Sequence, residues 1–533
     1  MADLYAAVYN PDVLSCLANL SNDEVFTPPE MANQVLDMLP ESLWSNPNAR
    51  FLDPCCKTGV FLREIAKRLI RAQMPGFDQC MAVIDYKRAN GQELSAVDNA
   101  YLERLQPVLD HIFHEQLFGM GITSLTSLLA RRSLYCSKWA NGRYSVVGFD
   151  TSEGNIRYRN IQHSWEGGKG RERCKFCGAS KVELEDNRES DETYAYEFIH
   201  RIGRERLFDN MQFDVIVGNP PYQLSDGGAQ KSASPIYQKF IEQAIKLKPR
   251  YLTMIVPARW YSGGKGLDAF REQMLSERHL SILHDFPETS DCFPGVNIRG
   301  GVCYFLWDRD YTGDCHVINH KNGQILDEST RPLREPGAET FIRYNQAIEI
   351  MRKVRSHQEP TMDLLVSARK PFGLATNFDD LAPKPFPGSV ELYRFRRQGY
   401  IKESAITKNP KWIGKWKVFE PYASPGQDDY PHLILSKPIV AGPGTACTET
   451  YLVVGPFDDE TTAQNVAAYM KTQFFRFMLL LLKSTQHITQ KVYGYVPQQD
   501  FSQVWTDELL YAKYGITENE IDFINTLIKP LSD

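Results

Sequence analysis

The chain has 533 residues, of which 42% are hydrophobic and 24% are charged, so it can bury at least two separate cores and is neither disordered nor fibrous. A net charge of -6 argues against a protein that coats DNA without sequence preference, because such binding needs an excess of Lys and Arg. Eleven mostly scattered cysteines, no secretory leader and no apolar run long enough to cross a bilayer predict a soluble, cytoplasmic protein of two to four domains.

The first half of the chain alternates between helix-like and strand-like segments. Apolar residues recur at helical spacing over residues 33–39, 60–70 and 237–246. Short runs of apolar, β-branched or aromatic residues predict strands at 50–53, 116–122, 212–218, 251–257 and 301–307. The alternation predicts a mostly parallel sheet that is covered by helices on both faces.

Two regions depart from this alternation. Residues 134–186 are polar and rich in Gly, which predicts an inserted module. After about Asp310 the chain becomes irregular, with many Pro, Lys and aromatic residues, and it closes with helical segments at 463–483 and 518–528. We therefore predict a first domain of residues 1–330, which contains the module 134–186, and a second domain of residues 331–533.

The most informative motif is Asn219-Pro220-Pro221-Tyr222, directly after the predicted strand 212–218. Ligands bind at the carboxyl ends of strands in open sheets. The amino group of adenine is a poor nucleophile, and the Asn219 side-chain carbonyl and the Pro220 backbone carbonyl are suited to accept its two hydrogens. Tyr222 is suited to stack on a base rotated out of a duplex. The alternative interpretation is a proline turn after a core strand.

Two upstream segments support this interpretation. Residues 51–59 follow a strand and open a helix, which places a tight turn where a nucleotide-like cofactor binds. Phe26 and Thr27 precede the first predicted helix, and Thr27 is either a helix cap or a cofactor contact.

Along residues 20–310 the motifs occur in the order Phe26-Thr27, the turn of residues 51–59, and Asn219–Tyr222. This arrangement resembles that of the gamma-class adenine-N6 DNA methyltransferases of bacterial restriction-modification systems that carry a fused C-terminal target-recognition domain. The resemblance implies an α/β fold with a Rossmann-like sheet that binds S-adenosylmethionine and a C-terminal α+β recognition domain, to which the residues of the module 134–186 add a small zinc-binding insertion, as argued below. It implies a catalytic set of Asn219, Pro220, Pro221, Tyr222 and Phe293, in which Phe293 stacks opposite Tyr222. It implies a cofactor site lined by Phe26, Thr27, Asp53, Pro54, Cys55, Gly59, Ile122, Glu197, Phe198 and Asn219.

Two residues depart from the pattern of that family. Lys57 stands where the family has the first glycine of the cofactor loop, so the loop is expected to close differently. Gly121 stands where an acidic residue is expected to bind the ribose hydroxyls of the cofactor, and Glu115 is one candidate to replace it. Because of these departures, a catalytically inactive DNA-binding subunit is an alternative to an enzyme.

A second constellation lies in the inserted module. Cys174-Lys175-Phe176-Cys177-Gly178 has the spacing at which two thiolates turn toward one metal. A tetrahedral site needs two further ligands, and Cys136 and His163 are the candidates within the module. We predict a structural Zn²⁺ site of three cysteines and one histidine, with unmetallated thiols as the alternative.

Basic and aromatic residues interleave between residues 393 and 422, a mixture that is typical of phosphate contacts combined with base stacking. A solvated charged face is the alternative. The candidate DNA-binding residues are Arg394, Arg396, Arg397, Lys408, Lys411, Trp412, Lys415 and Lys417. Double-stranded DNA is therefore the predicted partner.

Several activities stay open at this point. The first is a DNA adenine methyltransferase without its own nuclease, and the second is a combined restriction and modification enzyme. We find no convincing Asp…Glu-x-Lys nuclease cluster, so a separate nuclease or helicase would be a further partner. RNA or protein methylation is a lower alternative, because the Asn219 motif also suits other planar nitrogens.

Overall fold

The computed structural model describes residues 25–185, 195–200, 208, 211–224, 234–296, 298, 300–336, 338–395, 397–423, 431–483 and 487–531. The chain divides into two compact units, Met1–Leu333 and Arg334–Asp533. In the described part, no helix has the length and the apolar character needed to span a membrane.

The first unit is built on one large sheet. Its strands, in chain order, are β1 (Phe51–Asp53), β2 (Leu117–Met120), β3 (Ile156–Arg157), β4 (Trp165–Glu166), β5 (Arg173–Cys174), β6 (Val215–Gly218), β7 (Tyr251–Pro257), β8 (Leu280–Phe286), β9 (Val302–Asp308), β10 (Cys315–Lys321) and β11 (Gln324–Arg331). Within the described residues, β4 and β5 form a separate antiparallel hairpin, and the others form a sheet in the order β11-β10-β8-β9-β7-β6-β1-β2-β3. The sheet is parallel except for β9 and β11. The predicted mixed α/β class with a mostly parallel sheet is confirmed.

Helices follow the strands of the first unit. They are α1 (Pro29–Asp37), α2 (Val60–Gln73), α3 (Phe77–Ala89), α4 (Ala96–His111), α5 (Ser124–Tyr135), α6 (Lys181–Glu185), α7 (Glu197–His200), α8 (Tyr237–Lys246) and α9 (Asp268–Ser276). In α8, Tyr237, Phe240, Ile241 and Ala244 recur at helical spacing and are all buried. This strong periodicity is the reason that the sequence predicts α8 with its observed bounds.

Other elements differ from the prediction. Helix α1 begins at Pro29 rather than at residue 33, because proline is favoured in the first helical turn, where its missing N–H costs nothing. The module 134–186 is not wholly separate from the sheet, since β3 pairs in parallel with β2. Helices α3 and α4, between residues 77 and 111, were not predicted; their buried positions are few, so their periodic signal is weak.

The second unit combines small sheets with helices. Its strands are β12 (Ser389–Arg394), β13 (Arg397–Lys402), β14 (Trp416–Pro421), β15 (Ile439–Ala441), β16 (Thr445–Cys447) and β17 (Tyr451–Phe457), and its helices are α10 (Asn345–Ser356), α11 (Glu460–Lys471), α12 (Gln473–Leu480), α13 (Asp507–Tyr514) and α14 (Glu518–Leu527). The described strands form two sheets, β13-β12-β16 and β15-β14-β17. The single helix predicted over 463–483 is two helices, because Thr472 is extended and its side chain accepts a hydrogen bond from Phe475 N at the start of α12.

Candidate functional site

The loops after β1 and β6 meet at the centre of the large sheet. The two strands are parallel neighbours, with Phe51 opposite Val215. The chain continues from β1 to β2 on one side, while β6 and β7 lie on the other side, so a topological switch point lies between β1 and β6. A Cβ at Gly218 would lie 2.9 Å from Cys55 Sγ and 3.1 Å from Asp53 Oδ1. The missing side chain at Gly218 therefore lets the two motif-bearing loops touch.

Asn219 is the best-defined side chain at this junction. Its Nδ2 donates hydrogen bonds to Thr27 Oγ1 at 3.0 Å and to the Val25 carbonyl at 3.1 Å. A backbone carbonyl can only accept, so these contacts fix the amide with Nδ2 toward residues 25 and 27. Asn219 Oδ1 is buried and accepts no hydrogen bond of normal geometry from the described part of the chain. A buried acceptor without a donor costs about 1–3 kcal/mol, which points to a ligand that supplies the donor.

The aromatic residues of the predicted catalytic set are buried. Tyr222 is 5% exposed and Phe293 is 1% exposed, and Phe293 belongs to the hydrophobic core together with Phe286 and Tyr304. Pro220 and Pro221 are buried as well. Burial raises the pKa of the Tyr222 phenol, so it stays neutral. The predicted stacking of both rings on a base requires that their faces become accessible.

The cofactor loop carries a buried carboxyl and a buried ammonium. Burial raises the pKa of Asp53 to about 7, and its Oδ1 accepts a hydrogen bond from Cys55 N at 3.0 Å. Lys57 Nζ donates to the Val25 carbonyl at 3.0 Å and lies 5.9 Å from the centre of the Tyr222 ring. Lys57, which departs from the family pattern, thus links the loop to the segment that orients Asn219.

Glycine at position 59 allows the same loop to pack closely. Gly59 precedes α2 with a φ of +73°, and a Cβ there would lie 2.9 Å from the Ala130 carbonyl oxygen in α5. Pro54 and Cys55 are buried beside it, Thr27 is 6% exposed, and Phe26 is partly exposed. The structure therefore brings together the predicted cofactor residues of this loop, Thr27 and Asn219.

The missing acidic residue after β2 has a steric cause. A Cβ at Gly121 would lie 2.6 Å from Ser127 Cβ, so no side chain fits there. Glu115 precedes β2 and is exposed, while Gly121 follows β2. The four residues of β2, about 13 Å of extended chain, separate the two positions, so Glu115 is not placed to substitute. Ile122, also predicted at the cofactor, is 7% exposed.

Glu197 and Phe198 lie on α7, close to the edge of the sheet. Glu197 Oε1 forms an ion pair with the Arg157 guanidinium at 3.0 Å, and Arg157 lies over the Phe208 ring at 4.1 Å from its centre. Phe198 is nearly parallel to the Phe240 ring of α8, at 5.9 Å. The sequence analysis missed Arg157, because a single arginine in a polar insertion carries no distinguishing pattern.

A cluster of two cysteines and two histidines is formed by the insertion together with helix α7. The ligand atoms of His163, Cys174, Cys177 and His200, hereafter the Cys/His cluster, all lie within 4.8 Å of one another. Cys174 Sγ is 3.3 Å from His200 Nε2, and Cys177 Sγ is 3.4 Å from His163 Nδ1. The structure does not bring the predicted ligand Cys136 to the cluster: it caps the C-terminal end of α5, and His200, which was not predicted, takes the fourth position.

The geometry of the Cys/His cluster suits zinc. Bonds of about 2.3 Å to sulfur and 2.0–2.1 Å to nitrogen in a tetrahedron give sulfur to nitrogen separations of about 3.5 Å. His200 Nδ1 donates to the Tyr196 carbonyl at 2.8 Å, which leaves Nε2 for a metal. Hydrogen bonds from Cys177, His163 and His200 lower the pKa of the Cys174 thiol, whereas its hydrogen bond with Cys174 raises the pKa of Cys177, so one thiolate of the pair is favoured before a metal binds.

The structure places the predicted DNA-binding residues in different environments. Lys417 is fully buried on β14 and donates to the carbonyls of Lys415 and Gly442, so it is not placed to contact DNA as predicted. Arg394 and Lys415 form ion pairs with Asp379 and Asp458. The exposed residues are Arg397, Lys408 and Lys411; Trp412 is partly buried against Phe372; Arg396 lies outside the described residues.

Comparison with known proteins gives the family. Residues 115–293 match the family described as Eco57I restriction-modification methylase. An uncharacterized adenine-specific methylase of Mycoplasma pneumoniae is 36% identical over 349 residues, which cover 60% of this chain and 76% of that protein. This chain is an adenine-specific methylase of the restriction-modification type. The methylase is also 22% identical over 321 residues to the type II methyltransferase M.PstI of Providencia stuartii, covering 57% of this chain and 59% of that protein.

Solved structures align with the methylase at low identity. The M protein of the type I restriction enzyme EcoKI aligns with a TM-score of 0.31 at 14% identity, over 58% of this chain and 50% of that one. The type IIL enzyme MmeI in complex with DNA aligns with a TM-score of 0.47 at 11% identity, over 91% of this chain and 67% of that one. The methylase thus spans half of the EcoKI protein and a larger part of MmeI.

Proposed function

We propose that this methylase transfers a methyl group from S-adenosylmethionine to N6 of adenine in duplex DNA. The observation that carries the proposal is Asn219: its Nδ2 is held by two acceptors, while its buried Oδ1 lacks a donor among the described residues. The N6 amino group of adenine has two hydrogens and can supply that donor. The position at the switch point of the sheet agrees with a ligand site.

The chain's own residues would act on the amino group in three ways. Asn219 Oδ1 and the Pro220 carbonyl would accept its two hydrogens, which withdraws the nitrogen lone pair from the ring and lets it attack. Burial of residues 219–222 excludes water from that nitrogen. Tyr222 and Phe293 would hold the adenine between their rings once the base has left the duplex.

The same junction would also hold the cofactor. S-adenosylmethionine, when bound, supplies the electrophilic methyl group. We propose that the loop from Asp53 to Gly59, Thr27 and Ile122 line its site, with Glu197 and Phe198 beside its adenine ring. The close approach of Gly218 to the Asp53 loop supports this, because it brings the cofactor loop against the motif that would hold the target base. No acidic residue can take the place of Gly121, so the ribose hydroxyls would need another partner.

We also propose that the Cys/His cluster holds one structural Zn²⁺. Four protein ligands fill a tetrahedral site and leave no position for water. The second unit would contact DNA through Arg397, Lys408 and Lys411, whose side chains are exposed. A separate nuclease or helicase is a further proposed partner.

The deciding experiment is transfer of labelled methyl groups to duplex DNA and, in parallel, to RNA. We expect N6-methyladenine in the digested DNA product and background label in RNA. Label in RNA alone would refute the DNA assignment, and no label in either, although the protein binds both S-adenosylhomocysteine and DNA, would favour an inactive DNA-binding subunit. DNA cleavage in the presence of Mg²⁺ would instead identify a combined restriction and modification enzyme.

A further inference from the structure

Helix α7 carries both proposed cofactor residues and one residue of the Cys/His cluster. Glu197 and Phe198 are proposed to flank the adenine ring of the cofactor, and His200 belongs to the Cys/His cluster. Glu197 and His200 are three residues apart, which corresponds to about 4.5 Å along a helix axis. The cluster and the proposed cofactor residues therefore share one turn of backbone. If Cys136 were the fourth ligand, this connection would not exist.

Helix α7 depends on its neighbours for its position. It has four residues, whereas isolated helices shorter than about 12 residues are marginal in water. At its N-terminal side, Ala195 N donates to the Ile161 carbonyl at 3.0 Å. At its first residue, Glu197 pairs with Arg157 at 3.0 Å, and the next residue, Phe198, packs on Phe240. His200 anchors the C-terminal end.

The anchor at His200 relies on the groups around its Nε2. Its Nδ1 bonds to the carbonyl of Tyr196, in the same turn of chain, so this bond ties the ring to α7 itself. The opposite side of the ring faces the β4–β5 hairpin, with Nε2 3.3 Å from Cys174 Sγ. A thiol is a weak hydrogen-bond partner, whereas a shared metal ion joins the imidazole firmly to both cysteines.

We propose that the metal in the Cys/His cluster fixes helix α7 and thereby sets the affinity of the methylase for S-adenosylmethionine. This inference rests on the proposed function, because it assigns Glu197 and Phe198 to the cofactor site. The metal would affect cofactor affinity only by positioning helix α7, since none of its proposed ligands belongs to the set proposed to contact the reacting nitrogen. Metal loss would leave Glu197 and Phe198 tied to Arg157 and Phe240 but release the end of the turn that bears His200.

The test measures zinc content and the binding of S-adenosylhomocysteine by calorimetry. We expect about one zinc per chain, a dissociation constant at least ~10-fold weaker after chelation, and recovery when ZnCl₂ is returned. His200→Ala should reproduce the weak binding and lose the zinc. The matched control Cys136→Ala, in the same insertion but outside the cluster, should keep both zinc and affinity.

A double perturbation tests whether Glu197 transmits the effect. In Glu197→Gln, chelation should change the affinity for S-adenosylhomocysteine by less than ~2-fold. The carboxylate that the metal is proposed to position through helix α7 is already absent from this variant. Equal affinity with and without zinc in the wild-type protein would overturn this inference and leave the proposed function intact. Zinc-loaded protein that binds no S-adenosylhomocysteine would overturn the proposed function and this inference together. A zinc-free protein with a collapsed far-ultraviolet circular dichroism spectrum would show a general folding role and refute the local one.

Discussion

Replacing Asn219 with Ala tests the proposed chemistry most directly. The change removes the acceptor for the adenine amino group, and removal of one preorganised hydrogen-bonding group at a reacting centre costs about 10²–10³ in kcat. We therefore expect methyl transfer to fall at least ~100-fold, or about 2.7 kcal/mol at 1.36 kcal/mol per decade. Binding of DNA and of S-adenosylhomocysteine should stay within ~3-fold, because Asn219 is only one of the residues predicted to line the cofactor site and the others are unchanged.

The cost of Asn219→Ala to folding should be small by comparison. Two hydrogen bonds to Nδ2 are lost, but the Val25 carbonyl keeps the bond from Lys57 Nζ at 3.0 Å. The expected loss of about 1–3 kcal/mol is well below the total stability of a typical domain. A fall in turnover therefore cannot be attributed to unfolding if thermal melting stays cooperative.

Thr27→Val is the matched control for Asn219→Ala. It removes one acceptor of Nδ2 and leaves Oδ1 in place, with Val25 still fixing the amide. Single-turnover transfer of labelled methyl groups, at saturating cofactor and DNA, should drop by less than ~10-fold. Near-normal turnover in Asn219→Ala, or equal losses in both variants, would refute the role given to Oδ1.

Three further predictions follow from individual side chains. Tyr222→Ala should lower methyl transfer more than Tyr222→Phe, since stacking needs the ring; equal losses would implicate the buried hydroxyl. Lys411→Ala should weaken DNA binding and reduce its salt slope by about 1, whereas Lys417→Met should leave the slope unchanged, and a change in both would contradict the burial of Lys417. Burial raises the folded pKa of Asp53 from 3.8 to about 7, so its contribution to stability is fully present below pH 3.8 and is lost as pH rises through 7. The free energy of unfolding of Asp53→Asn, measured in urea, should therefore rise by about 4 kcal/mol relative to that of the wild type as the pH increases from 3.8 to 8. A difference that does not change with pH would show that Asp53 titrates normally.

The parts of the fold with strong local signals could be predicted from sequence. Strand β7 and helix α8 were predicted with their observed bounds, because their apolar residues follow one period throughout. The sequence also predicted a base-binding motif after β6 and a cofactor turn after β1, and the structure shows that these strands are parallel neighbours. The family match over residues 115–293 includes β6, β7 and α8.

Two features of the structure that the sequence did not predict, the place of His200 in the Cys/His cluster and the burial of Lys417, depend on contacts between distant parts of the chain. His200 follows Cys177 by 23 residues, far outside the spacing of a zinc knuckle, and three-dimensional folding alone brings it to the hairpin. Lys417 looks like its basic neighbours in sequence, but β14 turns it inward, where burial lowers its pKa to about 8. Neither the orientation of a strand residue nor a distant ligand can be inferred from composition.

The contact between Gly121 and Ser127 has an evolutionary consequence. An aspartate cannot be introduced at position 121 alone, because its Cβ would collide with Ser127 Cβ at 2.6 Å. A glycine at position 127 would remove that carbon, at a cost of about 0.5–1 kcal/mol inside α5, but the new Cβ would still lie 3.1 Å from the Cα and 3.3 Å from the backbone nitrogen of residue 127. An acidic residue at position 121 therefore requires the start of α5 to move away from β2, and the end of β2 and the start of α5 are expected to change together among homologues.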